Sequence, residues 1–193
     1  MNIELLYVAI YSYILGSIPF GLLLTKFFLK KDIRKIGSGN IGATNVLRTG
    51  KKSLGAATLI LDGFKAYATI LITLNFFQNY VYLSALLCFL GHVFPVWLKF
   101  NGGKGIAVYL GVLCAFSFYL GFIFIISWML VLYLSKYSSL SSLISTLIIF
   151  LYSVNLNNSN MSLLFFIIFI IVIYTHRENI SRIRDKTEHK INF

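Results

Sequence analysis

Two glycine-rich polar segments in this chain have residue types that suit phosphate. The first is Gly37-Ser38-Gly39-Asn40-Ile41-Gly42-Ala43-Thr44-Asn45-Val46-Leu47-Arg48. The second is Gly91-His92-Val93-Phe94-Pro95-Val96-Trp97-Leu98-Lys99-Phe100-Asn101-Gly102-Gly103-Lys104-Gly105. Backbone N–H groups exposed by glycine can turn onto an anion, and an adjacent Arg or Lys balances its charge without a metal. Two such segments among oily helices imply two phosphate-bearing substrates, at least one of them greasy. A third cluster, Lys136 to Ser142, offers Ser141 and Ser142 as hydroxyl donors, although serines at a helix start also serve as caps. A fourth group, His176 and Asn179, lies i,i+3 just beyond the last apolar run and would face a common cleft.

Other chemistries fail on residue type. Lys104 does not close a Walker A loop, because Leu98 stands where that loop requires glycine. The chain has only six acidic residues and they form no cluster, so a carboxylate cage for Mg²⁺ is excluded and no metal or other cofactor is expected. Asp62-Gly63 faintly echoes a lipid phosphotransferase motif, but the further aspartates of that chemistry are missing. No histidine is followed five positions later by aspartate, which excludes the His–Asp arrangement of many glycerolipid acyltransferases.

These residues must be positioned by membrane helices. Apolar residues make up 58% of the 193 and charged residues 12%, too oily for a soluble globule. Hydrophobic runs predict about seven spans in a single polytopic domain covering 1–193. They lie near Leu5–Thr25, Leu54–Asn75, Tyr82–Leu98, Ile106–Phe118, Phe122–Leu134, Leu140–Val154 and Ser162–Thr175. The net charge of +11 is concentrated in alternate loops, 26–53, 99–105, 135–140 and the tail 176–193. The positive-inside rule therefore places those segments and the C-terminus in the cytoplasm and the N-terminus outside. That distribution argues against nucleic acid as a partner. All four polar groups then meet at one face, which suits an enzyme drawing a soluble substrate from the cytoplasm better than a transporter with a midplane site. The first charge is Glu4, so a cleaved signal peptide is not expected.

Within this frame, Lys26–Ile36 reads as an interfacial amphipathic helix with Leu29, Ile33 and Ile36 on its apolar face. Pro19 should bend the first span. Asp62 and Lys65, i,i+3 inside the second span, are either an ion pair that fixes packing or a functional pair; spacing alone leaves both open. Cys88 and Cys114 read as free thiols in apolar spans.

Taken together, the motifs resemble those of the bacterial acyl-phosphate-dependent glycerol-3-phosphate acyltransferases over nearly the whole chain. The resemblance is carried by Ser17-Ile18-Pro19-Phe20-Gly21, the two glycine-rich blocks, Ile60-Leu61-Asp62-Gly63-Phe64-Lys65, Ser138 to Ser142 and His176-Arg177-Glu178-Asn179-Ile180. It implies a seven-span bundle in the bacterial inner membrane with its cleft facing the cytoplasm. It also implies transfer of a fatty acyl group from acyl phosphate to sn-glycerol 3-phosphate, giving lysophosphatidic acid and phosphate, the first step of phospholipid synthesis. By the same resemblance Ser38, Arg48, Lys104, His176 and Asn179 form the catalytic set and hold the glycerol phosphate. Gly37, Gly39, Asn40, Gly42, Thr44, Asn45, His92, Gly102, Gly103, Ser141 and Ser142 contribute substrate contacts, with the backbone of Gly39 to Thr44 cradling the acyl phosphate. A substrate phosphate takes the hydroxyl proton in this scheme, with His176 as the protein alternative. Implied partners are the two substrates, membrane lipids and the enzyme that forms acyl phosphate. Val108, Ala66 and Lys186 depart from the family pattern, which usually has Thr, Gly and Gly there. The rival reading is a small membrane anion transporter or lipid-phosphate-binding protein.

Overall fold

The computed structural model describes residues 3–191, and no strand occurs among them. They form two compact units that divide between Ala115 and Phe116. The first holds α1 (Ile3–Gly16), α2 (Phe20–Leu29), α3 (Ala43–Leu47), α4 (Lys52–Phe76), α5 (Val81–Val93) and nearly all of α6 (Ile106–Phe116). The second holds α7 (Phe118–Ser135), α8 (Ser138–Val154), α9 (Ser159–Thr175) and α10 (Arg177–Arg184). Four helical stretches are long and apolar enough to cross a bilayer: Ile3–Leu29, Lys52–Phe76, Gln78–Leu98 and Phe118–Ser135. The pair α9 and α10, bent by 58°, makes a fifth if counted as one span, while α6 and α8 are apolar but shorter.

Each apolar segment expected from the sequence is helical, with boundaries shifted for local reasons. The first is interrupted at residues 17–19, where Pro19 lacks an N–H and the chain re-enters helix at Phe20. The third leaves α-helix at Val93, because Phe94-Pro95 turns into a single 3₁₀ turn over Val96–Leu98. Ser117 alone separates α6 from α7 and caps the latter by accepting from Tyr119 N–H, so the expected external loop there shrinks to one residue.

The amphipathic helix expected over Lys26–Ile36 does not form. Lys30 takes a left-handed conformation (φ 52°) and ends α2 after Leu29. Asp32 then accepts from Arg34 N–H and starts a separate 3₁₀ turn, Ile33–Lys35. Ile33 is buried, against Leu22, Ile41 and Val46, rather than lying on a membrane-facing stripe.

In the first unit α1 packs against α4 and α5. Gly91 allows the α1–α5 approach: a Cβ there would lie 2.3 Å from the Tyr13 carbonyl oxygen. Hydroxyls cross-link the same three helices, with Ser12 Oγ 2.8 Å from Ser84 Oγ, Thr73 Oγ1 donating to Ser84 Oγ at 2.7 Å, and Tyr11 Oη 2.5 Å from Thr73 Oγ1. In apolar surroundings such bonds give buried hydroxyls partners, Thr73 Oγ1 also bonding to Thr69 O of its own helix (2.9 Å). Towards the C-terminal end of α1, Tyr13 Oη donates to Phe94 O (2.7 Å), and just beyond it Trp97 Nε1 donates to Ser17 O (3.0 Å), which clamps the segment leading to Lys104.

In the second unit α8 packs against both α7 and α9. The tail folds back on the α7–α8 turn: Ile191 N–H donates to Lys136 O at 2.8 Å, and Lys190 Nζ stands 5.7 Å from the Tyr137 ring centre. Lys186 takes φ 57°, a left-handed backbone that glycine adopts without steric cost, at the position where the resemblance leads one to expect glycine.

Candidate active site

The first glycine-rich segment is shaped by Asn45. Its side chain is buried, with the residue 2% exposed, and serves the loop instead of facing outward. Nδ2 donates to Ile33 O (3.2 Å), Ile36 O (2.9 Å) and Asn40 O (2.8 Å), while Oδ1 accepts from Ser38 N–H (3.0 Å). Asn45, expected as a substrate contact, is thus the keystone of the loop that would make such contacts. Asn40 Oδ1 accepts from Gly42 N–H at 3.0 Å, and Gly39 N–H donates to Ile36 O at 3.0 Å. Gly37 and Gly39 are left-handed, with φ 56° and 72°.

The outcome is an exposed Ser38 beside Gly37, with the Arg48 stem running along that glycine: a Cβ on Gly37 would lie 3.0 Å from Arg48 Cδ. Arg48 is exposed and forms no ion pair with another described residue, and Thr44 is exposed as well. Arg34 is committed elsewhere. It makes a two-pronged pair with Asp32 (2.9 and 2.6 Å), and that hydrogen bonding holds the Asp32 carboxyl well below the usual carboxylate range. A cavity of about 480 Å³ with a cationic lining opens beside this pair, bounded by Asp32, Arg34, Lys35, Trp97, Leu98, Lys99 and Asn101.

The second segment is built differently from the amide cradle its glycines suggest. Gly102 N–H donates to Val93 O and Gly103 N–H donates to His92 O, both at 3.0 Å, so these two amides satisfy carbonyls at the end of α5. In this arrangement they do not point at an anion. Of the two cations in the segment, Lys99 is exposed and Lys104 is half-buried. His92, 4% exposed, is drawn into a buried cluster with Asp62 and Lys65, where Lys65 Nζ lies 2.8 Å from Asp62 Oδ1 and 3.0 Å from His92 Nδ1. The pair inside the second span is therefore an ion pair that also holds a histidine.

Ser141 and Ser142, in the second unit, are buried and bond back into their own helix, to Tyr137 O and Ser138 O (both 2.9 Å). Ser142 Oγ also accepts from Trp128 Nε1 at 3.2 Å. His176 links α9 to α10; its Nδ1 meets Val172 O at 2.9 Å, and since a carbonyl only accepts, Nδ1 carries the proton in that bond. Asn179 Nδ2 donates to Glu188 Oε1 at 2.6 Å.

Glu188 is the residue that motif reading passed over, because its role appears only once the tail folds back. It accepts from Ser139 Oγ (2.9 Å), Asn179 and Arg182 Nε (2.8 Å). Burial alone would raise this carboxyl, but the hydrogen bonds from Arg182, Asn179 and Ser139 outweigh it and hold Glu188 below its ordinary value. A carboxyl depressed in the folded state stabilises above its unfolded pKa, and that contribution is lost as pH falls through the folded value. Acidification should therefore release the tail, read as lost hydrogen-exchange protection at the Ile191 amide. Protection that persists once the Glu188 carboxyl is protonated would contradict the docking role.

The apolar helices, four or five of them long enough to cross a bilayer, mark a multi-helix membrane protein. A family model described as glycerol-3-phosphate acyltransferase matches residues 6–186. A glycerol-3-phosphate acyltransferase of Pelagibacter ubique is 55% identical over 187 residues, covering 97% of each chain. One of Mesorhizobium japonicum is 48% identical, covering 99% of this chain and 98% of its own. Among solved structures, PlsY, an integral membrane glycerol 3-phosphate acyltransferase, is similar in its glycerol 3-phosphate form with a TM-score of 0.93 at 35% identity, over 98% of this chain and 96% of that one. Its lysophosphatidic acid form gives a TM-score of 0.90. The chain belongs to the glycerol-3-phosphate acyltransferase family and is a membrane acyltransferase.

Proposed function

We propose that this enzyme moves a fatty acyl group from acyl phosphate to the 1-hydroxyl of sn-glycerol 3-phosphate, at the cytoplasmic face of a bacterial inner membrane. The observation that carries the reading is the first loop, which presents Ser38 on a frame fixed by Asn45 with the Arg48 side chain laid along the adjoining Gly37. The similarity to a protein solved in forms with the substrate and the product of this transfer supports the same reading.

Acyl phosphate is a mixed anhydride, already activated, so a strong base is not required. The glycerol hydroxyl adds to the carbonyl carbon, the bond from that carbon to the phosphate oxygen breaks, and the hydroxyl proton leaves with the departing phosphate. Lysophosphatidic acid and inorganic phosphate result. What the protein must supply is orientation and charge balance for two phosphates. The reading assigns that work to Ser38, Arg48 and Lys104, and assigns contacts with the glycerol phosphate to His176 and Asn179. Charge-assisted bonds from Arg48 and Lys104 are the strongest of these. The same reading takes the seven apolar helices as seven crossings, N-terminus outside, with the basic segments in the cytoplasm.

Purified protein mixed with acyl phosphate and labelled glycerol 3-phosphate should form labelled lysophosphatidic acid; product no higher than background would reject the transfer. Impermeant lysine reagents applied to intact cells should spare Lys104, and labelling there would overturn the proposed topology.

A further inference from the structure

Lys65 sits inside α4, buried in an apolar helix, and the transfer just described makes no use of it. Its ammonium has three N–H donors, and three acceptors surround it: Ile18 O at 2.6 Å, Asp62 Oδ1 at 2.8 Å and His92 Nδ1 at 3.0 Å. Ile18 O is a carbonyl of the break before Pro19, so one side chain ties that break to α4 and α5. An ammonium only donates, so His92 Nδ1 must accept. The imidazole is then neutral and carries its proton on Nε2.

That edge of the ring lies against Gly103. A Cβ placed there would stand 2.1 Å from His92 Nε2 and 2.8 Å from Cε1. Gly103 is not among the positive-φ glycines, so the imidazole, and not backbone conformation, is what demands glycine. Gly103 N–H also donates to His92 O at 3.0 Å. The ring and the carbonyl of one histidine therefore both engage the residue immediately before Lys104.

We propose that Lys65 is a positioning residue for acyl transfer. By fixing the tautomer and ring plane of His92 it holds the Gly102–Lys104 segment, and so the point from which the Lys104 ammonium reaches the glycerol phosphate. Asp62 supplies the counter-charge beside Lys65, 2.8 Å from its Nζ. This inference rests on the acyl-transfer reading above.

The test uses purified full-length enzyme and varied glycerol 3-phosphate. Gly103→Ala drives a methyl group into the imidazole edge, whereas His92→Asn keeps an acceptor near Lys65 and removes that edge. Gly103→Ala alone should lower kcat/KM about 100-fold, and adding His92→Asn should recover at least about 10-fold of that loss, a non-additivity expected only of groups in contact. Asp62→Asn/Lys65→Met removes both buried charges; it should elute as folded protein, with KM for glycerol 3-phosphate raised about 30-fold and kcat within about 3-fold of wild type. A folded double variant with unchanged KM would overturn the proposal, as would a Gly103→Ala defect that His92→Asn leaves intact. If the charge-free variant does not fold, the Gly103–His92 cycle decides alone. Wild-type enzyme that forms no product rejects the acyl-transfer reading itself, a result separate from active wild type with unresponsive variants.

Discussion

Arg48→Ala is expected to lower kcat/KM for glycerol 3-phosphate by about 10³-fold, a loss of about 4 kcal/mol of transition-state stabilisation. Arg48 is exposed at the end of α3, forms no ion pair with another described residue, and has its stem laid along Gly37 next to Ser38. Asp32 occupies Arg34 nearby, so that neighbour cannot take over without breaking a two-pronged pair. Arg48→Lys keeps the charge but loses the planar fork, and should recover only part of the rate. Because Arg48 supports neither the loop frame nor the helices, the alanine variant should elute and melt like wild type. Steady-state kinetics in detergent micelles checks this, and a loss smaller than about 10-fold would remove Arg48 from the reaction.

Asn45→Leu should be nearly as damaging for a different reason. Leucine matches the volume but leaves Ser38 N–H and Asn40 O without a partner and strips Ile33 O and Ile36 O of their second donor, leaving them only Ile36 N–H and Gly39 N–H. Each buried polar group left unpaired costs about 1–3 kcal/mol, more than a short loop with one small apolar cluster can absorb. The loop is expected to open while the helices persist. Activity should fall more than about 100-fold with unchanged far-ultraviolet circular dichroism, and trypsin should cut sooner at Lys35 and Arg48. Asn45→Asp keeps the oxygen that serves Ser38 but has no N–H to offer the carbonyls, so it should also be impaired. Full activity in the leucine variant would show that Asn45 does not hold the loop.

The two residues illustrate how far the chain could be read before its structure. Arg48 was legible because a cation after a glycine-rich run has few structural uses, and its exposure fits that reading. Asn45 lay in the same run, yet its side chain turned inward, and no spacing rule distinguishes an amide that faces a ligand from one that ties carbonyls together. Gly102 and Gly103 posed the same difficulty. Glycine leaves room for an anion and equally for an imidazole edge, and only the position of His92 decides between them. The α4 helix, apolar and without Pro, fell within a few residues of its expected limits. The segment after α2 did not: the left-handed turn at Lys30 and the Asp32–Arg34 contact are local events that a helical-wheel pattern does not weigh. Glu188 was invisible, since its value depends on a tail that returns to Ser139, forty-nine positions earlier in sequence.

The hydroxyl ladder joining Tyr11, Ser12, Thr73 and Ser84 bears on how the protein is assembled after synthesis. Helices released one by one into lipid gain little from burying oil in oil, so greasy surfaces discriminate poorly between correct and slipped alignments. Sliding α1 by a single turn against its neighbours would part Tyr11 from Thr73 and Ser12 from Ser84. The ladder thus acts as a vernier, favouring one alignment of α1 on α4 and α5 over its slipped neighbours.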